Sequence, residues 1–336
     1  MEALQEKLQA LENMWTIFKF KMEKKSLLPQ STTKKLALLG FIIWGTYTFL
    51  KLKGHLPKKN VKGQHVFITG GGMGIGKGMA LIFAKLGCKI TLADINLEAA
   101  EKTCNEIKNI TQNVCVVKCD VSNVDSVNEA AKQSRQQLGP VDILINNAGI
   151  VTGKKLLENT EKGIQKTFEV NSIAHAYTIR AFLPGMVERD RGHIVTIASI
   201  AGHMGVAGLS DYCASKFAAV GMDESLRMEL NNRKSKVRTT CICPYYINTG
   251  MFDGIKPSFI MNLVLPILEE KWAAQRIVNA VRQNETVTLL PYTLTLVLML
   301  KALVPTSVYD FIVNILGVNN SADELKGRGD PTKQKN

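Results

Sequence analysis

An apolar run that passes straight into a glycine-rich turn and then into an amphipathic segment constrains this chain more than any other feature. His65–Thr69 is the run, Thr69-Gly70-Gly71-Gly72-Met73-Gly74-Ile75-Gly76-Lys77 the turn, and apolar periodicity continues to about Leu86. Glycine permits the tight turn and lets a pyrophosphate approach the backbone at a helix N-terminus. Strand, glycine turn and helix together form the dinucleotide-binding arrangement. The next run, 89–93, ends in Asp94, eighteen residues after Gly76. An acid there can accept both hydroxyls of a ribose, or it can cap the next helix. No Arg or Lys stands at 71–73 or 95–96 to hold a 2′-phosphate, so NAD is expected over NADP.

Further apolar runs at 113–118, 141–145, 193–198, 237–243 and 287–290 alternate with helical segments, including a long helix over about 160–188. This alternation predicts an α/β fold, doubly wound around one parallel seven-stranded sheet. The runs deliver Cys119-Asp120, Asn146-Asn147-Ala148-Gly149 and Ser199 at their ends. Small, amide and acidic residues suit the carboxyl edge of such a sheet, where ligands bind. Asp211-Tyr212-Cys213-Ala214-Ser215-Lys216 puts a Tyr and a Lys four apart on one helix face. An ammonium about 4 Å from a phenol is worth roughly 4 kcal/mol at an effective dielectric of ~20. That would bring a phenol with an ordinary pKa near ~10 toward neutrality as a proton carrier.

The net charge of +13 is unevenly placed: residues 1–63 hold twelve Lys and four Glu. Basic residues beside an apolar segment point to a membrane surface and away from nucleic acid. The seven Cys, at 88, 104, 115, 119, 213, 241 and 243, include no CxxC pair and predict buried thiols in a reducing compartment. The five His make no metal-ligand spacing, and no metal is expected.

Within 1–30, Leu4, Leu8, Leu11, Trp15, Phe18 and Met22 step by four and three, predicting an amphipathic helix on a membrane or on its own domain. Residues 31–60 contain an uncharged apolar run, 36–50, between Lys34-Lys35 and Lys51. As a helix it covers about 22 Å, short of a ~30 Å bilayer core, so a shallow or hairpin-like membrane anchor is expected, then a linker. The main domain spans 61–290. Tyr245, Tyr246, Met251, Phe252, Phe259, Ile260, Met261 and Leu263 lie where a substrate lid belongs. They predict a greasy substrate or ordinary core. Residues 291–320 predict apolar helices that touch a bilayer or pack in a core, and 321–336 a polar tail.

Taken together, the turn 69–76, Asn146 to Gly149, Ser199 and Tyr212 to Lys216 resemble the short-chain dehydrogenase/reductase family over about 64–290. The resemblance implies a Rossmann-type fold, and it implies Asn171, Ser199, Tyr212 and Lys216 as the catalytic set, with Ser199 and Tyr212 also meeting the substrate. Around NAD it implies Thr69, Gly70, Met73, Gly74, Ile75, Gly76, Asp94, Asp120, Val121, Asn147, Ala148, Gly149, Tyr212, Lys216, Pro244 and Thr249. Asp94 would select NAD, Asp120 would meet adenine, and Pro244 and Thr249 would meet the nicotinamide carboxamide. Tyr245 stands where the family has Gly. Lys216 would hold the nicotinamide ribose and lower the Tyr212 pKa, while Asn171 would hold a relaying water.

The stretches 150–155, 181–184, 211–216, 243–245 and 248–252 resemble the family's membrane-bound retinol and hydroxysteroid dehydrogenases. That implies oxidation of a lipophilic alcohol: retinol first, a hydroxysteroid or long-chain lipid alcohol or ketone second. It further implies a membrane anchor at the endoplasmic reticulum or a lipid droplet, a cytosolic catalytic domain and a homo-oligomer. A non-catalytic membrane or droplet scaffold is the alternative of another class.

Overall fold

The computed structural model describes residues 57–318, with Leu38, Leu39, Ile42, Ala322 and Leu325. The helix expected in 1–30, nearly all of the anchor in 36–50 and most of the tail from 321 lie outside the described residues. The chain divides into two compact units, Met1–Leu56 and Pro57–Asn336. Of the first, Leu38, Leu39 and Ile42 are helical and exposed. Among the described residues no helix is long and apolar enough to cross a membrane.

The second unit is built on strands β1 (His65–Thr69), β2 (Lys89–Asp94), β3 (Val114–Lys118), β4 (Ile143–Asn146), β5 (His193–Ile197), β6 (Arg238–Pro244) and β7 (Val287–Leu290). They form one parallel sheet in the order β3-β2-β1-β4-β5-β6-β7. Each strand lies within two residues of its predicted bounds. β1 is buried along its whole length, because a central parallel strand is covered on both faces and reads as a continuous apolar run. Its side chains alternate between two cores. Val66 and Ile68 join one core with helices α1 (Gly74–Lys85) and α2 (Leu97–Lys108), and Phe67 joins the other with α3 (Val124–Leu138). The chain winds outward from β1 to β3, then returns to start β4 on the other side of β1. The ligand crevice of such a sheet opens at that reversal.

The helix expected over 160–188 is interrupted. α4 (Glu161–Phe168) passes through a π turn, Glu169–Ile173, into α5 (Ala174–Glu188). A π turn inserts one extra residue and rotates the downstream helix about its axis, and Asn171, at its centre, is fully buried. α6 (Ser210–Asn232) carries Tyr212 and Lys216 in its first turns. α7 (Phe259–Val264), α9 (Leu294–Leu303) and α10 (Thr306–Ile315) gather beside the segments after β5 and β6, whereas α8 (Glu270–Arg282) packs under α1. All seven Cys are free and buried.

Candidate active site

The ends of β1 and β4 are tied to each other at the strand reversal. The Thr69 hydroxyl accepts from the backbone N–H of Asn147 (2.9 Å) and of Ala148 (3.0 Å). The Asn147 amide donates to the carbonyls of Thr69 (2.9 Å) and Gly70 (3.0 Å). Asn147 therefore clamps the glycine turn to β4. Gly70 and Gly74 have φ of +62° and +54°, a backbone that only glycine adopts cheaply. A Cβ on Gly76 would stand 2.1 Å from the Gly70 carbonyl oxygen, so the turn admits no side chain there. α1 starts at Gly74 with no side-chain cap and no acid in its first turn. The positive end of its dipole faces the turn, a seat for a pyrophosphate.

Asp94 closes β2 and is 7% exposed. Its carboxylate accepts from Gly72 N–H (2.9 Å) and Asn96 N–H (3.0 Å). The capping reading of Asp94 is corrected: Asn96 caps α2, accepting from Ala99 N–H at 3.0 Å. Asp120 comes after β3, with Oδ1 accepting from the Ser122 N–H (3.0 Å) and hydroxyl (2.6 Å). Burial pushes its carboxyl up, but these bonds and Lys166 outweigh it and hold the pKa below the ordinary value. Val121, beside it, is buried in the core. An uncapped dipole end, a turn closed to side chains and a fixed acid one strand away suit the pyrophosphate and ribose of a dinucleotide.

Ser199 leaves β5 in extended backbone. Its Oγ accepts from Ala201 N–H (3.1 Å) and reaches the Pro244 carbonyl at the end of β6 (3.4 Å). Tyr212 is buried beside it, its ring edge-on to Phe252 at 5.8 Å between centroids. Burial pushes the Tyr212 phenol well above its ordinary value, and the Ser199 hydroxyl pulls it only part of the way back. The net displacement is upward, opposite in direction to the depression expected from Lys216 with NAD bound. The Lys216 ammonium stands 5.7 Å from the Tyr212 ring centre and donates to the Ile197 carbonyl at 2.9 Å. Burial lowers Lys216 itself to about 8.

Asn171 Oδ1 accepts from Ile150 N–H (2.8 Å), and its Nδ2 donates to the Ile150 carbonyl (2.9 Å) and the Ser215 hydroxyl (3.0 Å). The side chain is thus occupied by protein groups, joining the π turn to the residue before Lys216. A Cβ on Gly149 would meet Asn171 Oδ1 at 3.3 Å. Pro244 ends β6, and Thr249 N–H bonds Ile247 O at 2.9 Å. Tyr245, where glycine was expected, extends the pairing of β6 by donating its N–H to Leu290 O (2.6 Å) and lays its ring on Tyr246, 4.7 Å between centroids.

Two neighbours were not anticipated from the sequence. Asp211 Oδ2 accepts from Thr152 (2.9 Å), Asn159 (3.0 Å) and Thr167 (3.0 Å), fixing the start of α6 to the loop after β4 and to α4. Its signal was its place directly before Tyr212 in a helix first turn. His175 is buried, and neither ring nitrogen has a hydrogen-bond partner among the described residues. Burial, then the Lys216 charge, lowers it to about 3, so it stays neutral. Its spacing of four from Asn171 was the only trace in the sequence.

A cavity of about 1090 Å³, the open solvent at its mouth included, opens on Ser199 and Tyr212. It is lined by Ile200, Met204 and Leu209 after β5, by Tyr245, Tyr246, Phe252 and Met261 after β6, and by Leu294, Val297, Tyr309 and Ile312 of α9 and α10. Met251 packs with Phe252. Phe259 and Leu263 instead face outward, and the side chain of Ile260 lies outside the described residues.

The family model for short chain dehydrogenases matches residues 64–258. Human epidermal retinol dehydrogenase 2 is 44% identical over 272 residues, 80% of this chain and 86% of that one. Human estradiol 17-beta-dehydrogenase 11 is 38% identical over 265 residues, 79% of this chain and 87% of that one. A crystal structure of a short chain dehydrogenase/reductase from Burkholderia phymatum in complex with NAD superposes with a TM-score of 0.66 at 27% identity, covering 72% of this chain and 94% of that one.

Proposed function

The chain belongs to the short-chain dehydrogenase family of NAD-dependent oxidoreductases, and from that premise we propose that it oxidises a membrane-dissolved lipid alcohol, retinol ahead of a hydroxysteroid. The observation that carries this reading is the cavity: its polar corner, Ser199 and Tyr212, opens into a wall of apolar side chains. Such a lining takes a greasy body and orients it by a few polar groups. Retinol comes first because the retinol-named relative is more similar than the estradiol-named one, 44% against 38%.

When bound, NAD supplies the ring that accepts hydride from the carbinol carbon. The protein's own residues do the rest. Thr69 to Gly76, Met73 and Ile75 among them, would receive the pyrophosphate; Asp94 would take the ribose hydroxyls, and Asp120 and Val121 would border the adenine. Asn147, Ala148, Gly149, Pro244 and Thr249 would frame the nicotinamide side. Ser199 hydrogen-bonds the substrate oxygen and orients it. Tyr212 takes the hydroxyl proton as general base. Burial opposes its ionisation, so the phenolate needs positive charge close by. Lys216 supplies it, since one bond to Ile197 leaves two ammonium hydrogens for the ribose and the proton path. Asn171 is a positioning residue: it holds Ser215 and with it the turn that aims Lys216.

The helices that help to line the cavity, α7, α9 and α10, also carry Leu263, Val264, Leu296, Leu303, Phe311 and Ile315, apolar residues that are exposed. Exposed apolar helix faces of this kind suit a lipid surface, from which an insoluble alcohol would enter the cavity. We place the chain on the endoplasmic reticulum membrane or a lipid droplet with this unit in the cytosol. The test is a panel: full-length protein in detergent with NAD and retinol, estradiol or a long-chain fatty alcohol, read as NADH formation. Retinol is expected to turn over fastest, and estradiol ahead of retinol gives the hydroxysteroid reading. NAD binding without turnover of any alcohol refutes the proposal in favour of a scaffold.

A further inference from the structure

Tyr309 stands on α10 in the wall of the cavity. It packs with Ile200, Met204, Leu265 and Leu294, whereas Tyr212 packs in a separate cluster with Leu209, Ala201 and Phe252. The Tyr309 hydroxyl is buried and has no hydrogen-bond partner among the described residues. A phenylalanine would fill the same space without stranding a polar group, and an unpaired buried hydroxyl costs stability. Ser258, a hydroxyl that also lines the cavity, is already engaged: it donates to the Leu316 carbonyl and accepts from Met261 N–H at 3.2 Å. Burial keeps the phenol protonated and therefore a donor.

We propose that Tyr309 determines specificity by donating a hydrogen bond to a second oxygen of the substrate, carried at the end remote from the reacting carbinol. Within one class of alcohol, retinoid or steroid, the preferred ligand is then the elongated one with an oxygen at each end, a diol or hydroxyketone. This rests on the reading of the cavity as the alcohol site. Retinol has no remote oxygen; a retinoid hydroxylated on its ring has one, as does a steroid diol.

The test uses two matched pairs, retinol with 4-hydroxyretinol and 3-deoxyestradiol with estradiol. Each is titrated into the full-length protein with NADH in detergent, wild type against Tyr309→Phe, alongside kcat/KM with NAD. One buried hydrogen bond corresponds to roughly 5- to 100-fold in affinity. Wild type should bind the doubly oxygenated member tighter by that factor in at least one pair. In Tyr309→Phe the ratio should fall to about one while thermal stability holds or rises. A wild type that does not discriminate, a ratio that survives the substitution, or a failure of all four ligands to bind overturns the proposal. So does a destabilised variant that loses both members of a pair equally. A binding preference without turnover would instead refute the dehydrogenase reading and leave this one standing.

Discussion

Replacing Asp94 by Asn should convert cofactor choice. The carboxylate is 7% exposed and fixed by Gly72 and Asn96 N–H groups at 2.9 and 3.0 Å. It cannot swing away from an incoming phosphate without abandoning both. The 2′-phosphate of NADPH brings about two negative charges. One like-charge pair at about 4 Å and an effective dielectric of ~20 costs roughly 4 kcal/mol, about a thousandfold. Asp94→Asn removes that repulsion. It also sets an amide hydrogen against one backbone N–H, giving up one charge-assisted bond of about 1.5–3 kcal/mol, so a loss of several degrees in Tm accompanies it. The assay is fluorescence titration with NADH and NADPH, which needs no substrate. The NADPH-to-NADH affinity ratio should rise by roughly a hundred- to a thousandfold. A ratio within threefold of wild type would refute the electrostatic argument.

Packing and burial set two further outcomes. Gly76→Ala puts a Cβ 2.1 Å from the Gly70 carbonyl and 2.7 Å from Asn147 Nδ2; the turn must move, and NADH affinity should fall by at least about tenfold, unchanged affinity being the contrary result. His175 is held near 3 by burial and then by Lys216, while in the unfolded chain it titrates near ~6.5. Below that pH the unfolded chain binds the extra proton, so folding stability is lost as pH falls from about 6.5 toward 3, at up to about 1.4 kcal/mol per pH unit. Denaturant unfolding of wild type and His175→Phe at pH 7, 6 and 5 isolates this group from others such as Asp223, which burial raises to about 6. Parallel pH dependences in the two proteins would contradict it.

The sheet was legible because its strands are short and β-branched and the central ones are covered on both faces: β1 reads His-Val-Phe-Ile-Thr with every position buried. The glycine turn was legible because φ near +60° at Gly70 and Gly74 leaves the sequence little choice. What escaped was set by contacts between distant segments. The π turn at Asn171 shifts helical phase by one residue, too little for apolar periodicity to register. The Tyr212–Lys216 spacing was right, but spacing does not fix where an ammonium points. Lys216 turns to Ile197 on β5, and burial pushes the tyrosine's pKa up. Nor does a sequence reveal that the Tyr309 hydroxyl lacks a partner among the described residues, since that depends on which helices enclose it.

The most direct measurement compares NADH formation by wild type and Tyr212→Phe on the best alcohol of the panel, with NADH binding titrated in both. If the buried phenol carries the proton, the variant still binds NADH and its turnover falls by about a thousandfold or more. Turnover within tenfold of wild type would contradict the account.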